Sequence, residues 1–68
     1  SLSGNSADGG LVAENATGTG TQTIFAVSFD PSMIYINGVY QNQNTYSFAN
    51  GSVTFSQAPP ATSIIEFV

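Results

Sequence analysis

Four carboxylates are the only side chains in this 68-residue chain that could act as acids or bases near neutral pH. They are Asp8, Glu14, Asp30 and Glu66, and the sequence contains no His, Cys, Lys or Arg. A Ser or Thr nucleophile would therefore have no base except a carboxylate. Glycoside hydrolysis needs two carboxylates roughly 5–10 Å apart, and nothing in the sequence brings Asp30 and Glu66 together. We therefore expect no catalytic residues and no enzymatic activity.

Metal, nucleic-acid and membrane binding are also poorly supported by this composition. Asp8 and Glu14 could contribute to a Ca²⁺ site, but such a site takes about six to eight oxygen ligands and no loop has the required spacing. Solvated acids are the better interpretation, and we expect no metal and no cofactor. The absence of Lys and Arg argues against binding to nucleic acid and to anionic membrane surfaces. The longest apolar run is too short to cross a bilayer.

Tyrosines beside amides form the most interesting group of polar residues. Exposed Tyr supplies apolar area, and amides supply hydrogen-bond donors and acceptors, a combination that suits a sugar or a protein surface. The alternative is a cross-strand tyrosine pair that steadies a hairpin by roughly 0.2–1 kcal/mol or packs against a neighbouring subunit, and we favour this simpler reading. The candidate receptor or subunit contact residues are Tyr35, Asn37, Tyr40, Gln41, Asn42, Gln43 and Asn44.

Two Asn-Gly pairs predict the local structure around these residues. Asn-Gly between short β-prone runs indicates a two-residue type I′ turn, because both residues tolerate positive φ. A turn at Asn37-Gly38 pairs Ile36 with Val39 and Tyr35 with Tyr40. A second turn at Asn50-Gly51 pairs Phe48 with Val53 and Tyr46 with Phe55, leaving hydroxyl side chains on the opposite face. A one-residue slip would bury the hydroxyls, so the register is well specified.

The rest of the chain predicts further strands and no helix. Residues 23–29 alternate as a strand with Phe25, Val27 and Phe29 inward, Pro59-Pro60 is a connection between sheets, and residues 63–68 form the last strand with Glu66 outward. We expect an all-β fold, a small antiparallel β-sandwich or open barrel of five to six short strands. The predicted core comprises Phe25, Val27, Phe29, Ile34, Ile36, Val39, Tyr46, Phe48, Val53, Phe55, Ile65 and Phe67.

The first 20 residues are rich in Gly, Ser, Asn and Thr, which is typical of an extended arm or linker. We therefore divide the chain into an arm over 1–20 and a β-module over 21–68, and a chain that starts at Ser favours a fragment of a longer protein. A domain this small without disulfides or metal usually needs oligomerisation or attachment to a larger chain. We expect Leu11 and Val12 on the arm to pack against a neighbouring subunit.

The order of signals in residues 21–68 resembles the small β-modules of bacteriophage tail fibres and related phage adhesins. The resemblance rests on Gln22-Thr23-Ile24-Phe25, Phe29-Asp30-Pro31, Ile34-Tyr35-Ile36-Asn37-Gly38-Val39-Tyr40-Gln41, Tyr46-Ser47-Phe48, Val53-Thr54-Phe55, Ala58-Pro59-Pro60 and Ile64-Ile65-Glu66-Phe67-Val68. It implies a non-enzymatic structural and host-adhesion module in a parallel homotrimer, located in the virion or outside the cell. Neighbouring fibre domains or virion proteins would be its partners, with a host cell-surface glycan as a further candidate. Members of that family often carry Lys or Arg in these loops, and this chain does not.

Two other functions fit the same residues. One is a carbohydrate-binding or adhesin domain of a bacterial surface protein. The other is an accessory domain of a polysaccharide-degrading tailspike, with the chemistry elsewhere in the parent chain. Flanking sequence distinguishes them, because fibre-type repeats favour a phage protein and a cell-wall anchor favours a bacterial one.

Overall fold

Short runs of β-prone residues, separated by turns rich in Gly, Pro and Asn, form most of the seven β-strands found in residues 13–68. A computed structural model describes residues 13–68. The strands are β1 (Glu14–Thr17), β2 (Ile24–Ala26), β3 (Ile34–Ile36), β4 (Val39–Tyr40), β5 (Tyr46–Ala49), β6 (Ser52–Phe55) and β7 (Ile64–Phe67), and a single 3-10 turn, Gln43–Thr45, precedes β5.

The strands form two antiparallel sheets. One sheet has the order β1-β7-β3-β4 and the other has the order β2-β6-β5. The apolar residues of both sheets form a single buried cluster, as in a β-sandwich. The predicted all-β, antiparallel fold class is confirmed, with seven strands rather than five to six.

The additional strand, β1, lies in the segment assigned to the arm over 1–20. Glu14 pairs with Phe67 and Thr17 pairs with Ile64, so residues 14–17 belong to the sheet. The Glu-Asn-Ala-Thr sequence has no apolar alternation, and its strand conformation comes from pairing with β7 rather than from intrinsic preference. The predicted packing of Leu11 and Val12, and the role of Asp8, lie outside the described residues.

Both predicted Asn-Gly turns are present with the expected geometry. Asn37 and Gly38 have φ of 52° and 80°, and Asn50 and Gly51 have φ of 52° and 77°, which is the positive-φ pair of a type I′ turn. The registers follow as predicted. Tyr35 pairs with Tyr40 and Ile36 with Val39, while Phe48 pairs with Val53 and Tyr46 with Phe55.

The core lies between the two sheets and is largely the predicted one. Its fully buried residues are Phe25, Ile34, Val53, Phe55, Ile65 and Phe67, with Val27, Phe29, Ile36, Tyr46 and Phe48 packed partly buried against them. Phe55 lies 5.7 Å from Phe25 and 6.5 Å from Phe67 between ring centroids. Aromatic pairs at such separations stabilise a core beyond their buried area.

Val39 was predicted in the core and this is wrong, because its side chain is 63% exposed. It does lie opposite Ile36 on the inward side. However, β4 is a two-residue strand at the edge of the four-stranded sheet, and the opposing sheet has one strand fewer to cover it. Pro59, in the connection between β6 and β7, was not predicted in the core, but its side chain is fully buried.

Candidate functional site

One face of the four-stranded sheet points away from the core and carries a row of larger side chains. The register places Asn15 opposite Glu66, Glu66 opposite Tyr35, and Tyr35 opposite Tyr40, so the row crosses all four strands. Ile64 lies two residues before Glu66 on β7 and therefore on the same side of the sheet. We call this surface the tyrosine face, defined by Asn15, Tyr35, Tyr40, Ile64 and Glu66.

The two tyrosines of this face contact each other edge to face. Their ring centroids are 5.9 Å apart and the ring planes meet at 70°, the geometry that aromatic pairs prefer. Tyr40 is 50% exposed, and the Tyr35 hydroxyl lies 3.7 Å from the Met33 sulfur. The predicted tyrosine pair is therefore present, and one of its rings remains open to a partner.

Glu66 occupies a central position in the same row. It lies on β7, which is flanked by β1 and β3, and its side chain is partly exposed. Among the described residues 13–68, no group donates a hydrogen bond to its carboxylate within standard distance limits. The chain has no Lys, Arg or His, so no side chain of this protein can neutralise that charge.

The predicted amides mostly hold loops. The Asn37 side-chain oxygen accepts from the Ile64 N–H at 2.9 Å, and the Asn42 side-chain oxygen accepts from the Asn44 N–H at 3.0 Å. Gln43 Nε2 donates to the Ser32 carbonyl at 3.0 Å. Asn37 lies in the turn between Tyr35 and Tyr40, and Asn42 and Gln43 lie in the loop after Tyr40. Of the predicted amides, only Asn44 has an exposed side chain that makes no hydrogen bond to another described residue.

Gln41 lies apart from the tyrosine face and lines a small cleft instead. The cleft has a volume of about 190 Å³ and lies where the connection after β6 meets the edge of the four-stranded sheet. Its apolar residues are Ile36, Phe55, Ala58, Pro59 and Pro60, and its polar ones are Gln41, Thr45, Ser56 and Gln57. Sequence reasoning missed Ser56 and Gln57, because no local pattern indicates that this connection folds back toward Gln41.

A second, more open groove of about 260 Å³ lies beside β5. It is lined by Asn44, Thr45, Tyr46, Ser47, Thr54, Phe55 and Ser56. The Tyr46 hydroxyl is buried and has no hydrogen-bond partner among the described residues. Burial, with smaller contributions from Tyr40 and Asp30, raises the pKa of Tyr46 above its ordinary value.

Glu14 is held by hydrogen bonds from the loop after β2. The Glu14 carboxylate accepts hydrogen bonds from the Ser28 hydroxyl at 2.7 Å and the Ser28 N–H at 2.9 Å. Those two bonds lower the pKa of Glu14, and they connect β1 to the loop after β2. Within residues 13–68 no cluster of three or more acidic, His or Cys residues could hold a metal ion.

Comparison with known proteins identifies no relative. No protein-family model matches this chain, no curated protein matches its sequence, and no solved structure matches its fold. In the part of the chain that the structure describes, no helix is long and apolar enough to cross a membrane.

Proposed function

We propose that this chain is a non-enzymatic structural and host-adhesion module of a bacteriophage tail fibre or tailspike. Its proposed partners are neighbouring fibre domains or virion proteins, and its proposed location is the virion or the outside of the cell. The observation that carries it is the ordered set of motifs over 21–68, from Gln22-Thr23-Ile24-Phe25 to the final Glu66-Phe67-Val68. Two features of the fold support it: a framework of two antiparallel sheets, and a tyrosine face that is available for contact.

The chemistry of the chain supports a role in contact rather than in catalysis. No His, Cys or Lys is present in the sequence to activate a nucleophile. Of the four carboxylates, Glu14 is engaged with Ser28 and Glu66 lies on an exposed sheet face. Purified protein should therefore release no product from polysaccharide, peptide or ester substrates. Turnover that is abolished by Asp30→Asn or Glu66→Gln would contradict the non-enzymatic role.

A homotrimer is part of the same proposal. Large apolar side chains remain about half exposed at Ile24, Val39, Tyr40 and Ile64. The edge strands β1, β2, β4 and β5 carry no Lys to prevent pairing with another chain. Apposition of three tyrosine faces would bring three Glu66 carboxylates together with no cation to neutralise them, so we expect subunits to meet through Ile24 rather than through Ile64.

Sedimentation equilibrium with two matched variants tests this assembly. Ile24→Thr and Ile64→Thr remove similar exposed area from the outer faces of the two sheets (57% and 51% exposed). We expect a trimer for the natural sequence and for Ile64→Thr, and dissociation toward monomer for Ile24→Thr. A natural protein that sediments as a stable monomer at micromolar concentration would refute the trimer.

A carbohydrate-binding domain of a bacterial surface protein is the second candidate, and the cleft favours it. The cleft combines an apolar floor with uncharged amides and hydroxyls, which suits a neutral sugar. Its volume of about 190 Å³ is below the roughly 300–1,000 Å³ of pockets that hold drug-sized ligands, so we expect it to take no more than one sugar unit. A glycan array probed with the natural protein and with Gln57→Ala checks this. Loss of glycan binding in Gln57→Ala would support the cleft as the binding site. Binding that this change leaves unaffected would place the binding site elsewhere on the protein.

A further inference from the structure

The tyrosine face presents one negative charge that no side chain of this protein can neutralise. Glu66 lies on a central strand between Asn15 and Tyr35, and no described residue donates a hydrogen bond to its carboxylate. The chain contains no Lys, Arg or His, so a second copy has no cationic side chain to offer. Charge complementarity therefore points to a cation on a different molecule.

The neighbouring side chains define which kind of cation fits. Tyr35 lies directly across from Glu66, at about the 4.5–5.5 Å Cβ separation of paired residues. Tyr40 is next in the row and 50% exposed. A guanidinium or ammonium within roughly 6 Å of a tyrosine ring is attracted to its face, and it can donate to a carboxylate beside the ring at the same time.

Arginine meets these requirements better than lysine. Its planar guanidinium can stack on a tyrosine ring and donate two parallel hydrogen bonds to one carboxylate. Its aliphatic stem can lie on apolar surface while the head group stays in a polar environment. Ile64, on the same face and 51% exposed, offers that apolar surface beside Glu66.

We infer that the tyrosine face binds an arginine side chain presented by another protein. Glu66 accepts the guanidinium hydrogen bonds, and Tyr35, which lies directly across from it, supplies the ring on which the guanidinium stacks. Tyr40 holds the Tyr35 ring edge to face at 5.9 Å between centroids. The inference does not require a fibre or a trimer, because all of these residues lie in one chain. A monomeric protein could still bind arginine at this face, and a trimer could form without such binding.

Titration with short blocked peptides, followed by amide chemical shifts, tests the inference. The probes are acetyl-Gly-Arg-Gly-amide, the same peptide with Lys, and the same peptide with citrulline, which keeps the shape of arginine without its charge. The protein variants are Glu66→Gln, Tyr40→Leu and, as a matched loss of one carboxylate elsewhere, Asp30→Asn. The dispersion of the amide spectrum shows that each variant is folded.

We expect the arginine peptide to shift the amides of residues 34–36, 39–40 and 65–67, with weaker binding of the lysine peptide and none of the citrulline peptide. Glu66→Gln should weaken binding on the order of tenfold, as loss of a charge-assisted pair of hydrogen bonds implies, while Asp30→Asn should change it less than about twofold. Equal effects of Glu66→Gln and Asp30→Asn, equal binding of arginine and citrulline, or shifts confined to other residues would overturn the inference. Should Tyr40→Leu unfold, the comparison of Glu66→Gln with Asp30→Asn decides alone.

Discussion

Phe55 contacts three other aromatic rings of the core. Its ring lies within about 6.5 Å of Phe25, Tyr46 and Phe67 and is 4% exposed. Phe55→Ala should lower the free energy of unfolding by about 3–5 kcal/mol, because it removes buried area and leaves a cavity. That loss is a large share of the stability of a small domain. Urea denaturation followed by tyrosine fluorescence measures it.

Val39→Ala is the matched control for the core. Val39 is apolar and faces inward by register, but it is 63% exposed. We expect its truncation to change the free energy of unfolding by less than about 0.5 kcal/mol, as is usual for surface positions. Comparable losses for Phe55→Ala and Val39→Ala would contradict the location of the core.

The contact between the Glu14 carboxylate and Ser28 depends on pH. Its pKa is lowered from 4.5 by the hydroxyl and backbone hydrogen bonds from Ser28. A carboxylate with a lowered folded pKa contributes stability that is fully present above pH 4.5 and is lost as the pH falls through the folded pKa. Thermal midpoints of the natural protein and Glu14→Gln should therefore differ at pH 7 and converge in acid. A difference that persists unchanged below both pKa values would refute this role of Glu14.

At the scale of elements, the two Asn-Gly turns have the same backbone and different attachments. The Asn37 side-chain oxygen accepts from the Ile64 N–H at 2.9 Å and the Asn37 N–H donates to the Ile64 carbonyl at 2.8 Å, so the first turn is bound to β7. Asn50 makes no side-chain hydrogen bond among the described residues. Asn37→Gly keeps the positive φ and should cost about 1 kcal/mol, the usual value of one hydrogen bond.

Asn50→Gly is the control for that substitution, because it makes the same change in an unattached turn. We expect the free energy of unfolding to fall by only a few tenths of a kcal/mol in Asn50→Gly. Chemical denaturation of both variants under the same conditions gives the comparison. If the two substitutions cost the same, the bond from Ile64 to Asn37 contributes nothing to stability.

The elements that sequence reasoning predicted well are those determined by neighbours in the chain. Both hairpins follow from Asn-Gly and from the alternation on either side of it, and the Tyr35–Tyr40 pair follows with them. β1 was missed because residues 14–17 form a strand only by pairing with β7, some 50 positions later in the chain. The row from Asn15 through Glu66 to Tyr35 and the cleft at Gln57 depend on the same long-range order of strands, so no local pattern indicates them.

At the scale of the whole molecule, stability should be insensitive to salt or increase slightly with it. The chain carries a net charge of −4 and no cationic side chain, so it has no side-chain ion pairs for salt to weaken. Raising NaCl from about 10 mM to 1 M shortens the screening length from roughly 30 to 3 Å and should relieve repulsion among the carboxylates. A marked fall in the thermal midpoint with added NaCl would contradict this prediction.

The pairing of β1 with β7 has a mechanical consequence. Because Glu14 faces Phe67, a pulling force applied at these two residues acts at the same end of one antiparallel ladder. Such a load breaks the hydrogen bonds of the ladder one after another rather than loading all of them at once. Tension applied between these two positions is therefore resisted by one hydrogen bond at a time rather than by the whole ladder. Force spectroscopy with handles at these two positions should find unfolding at low force.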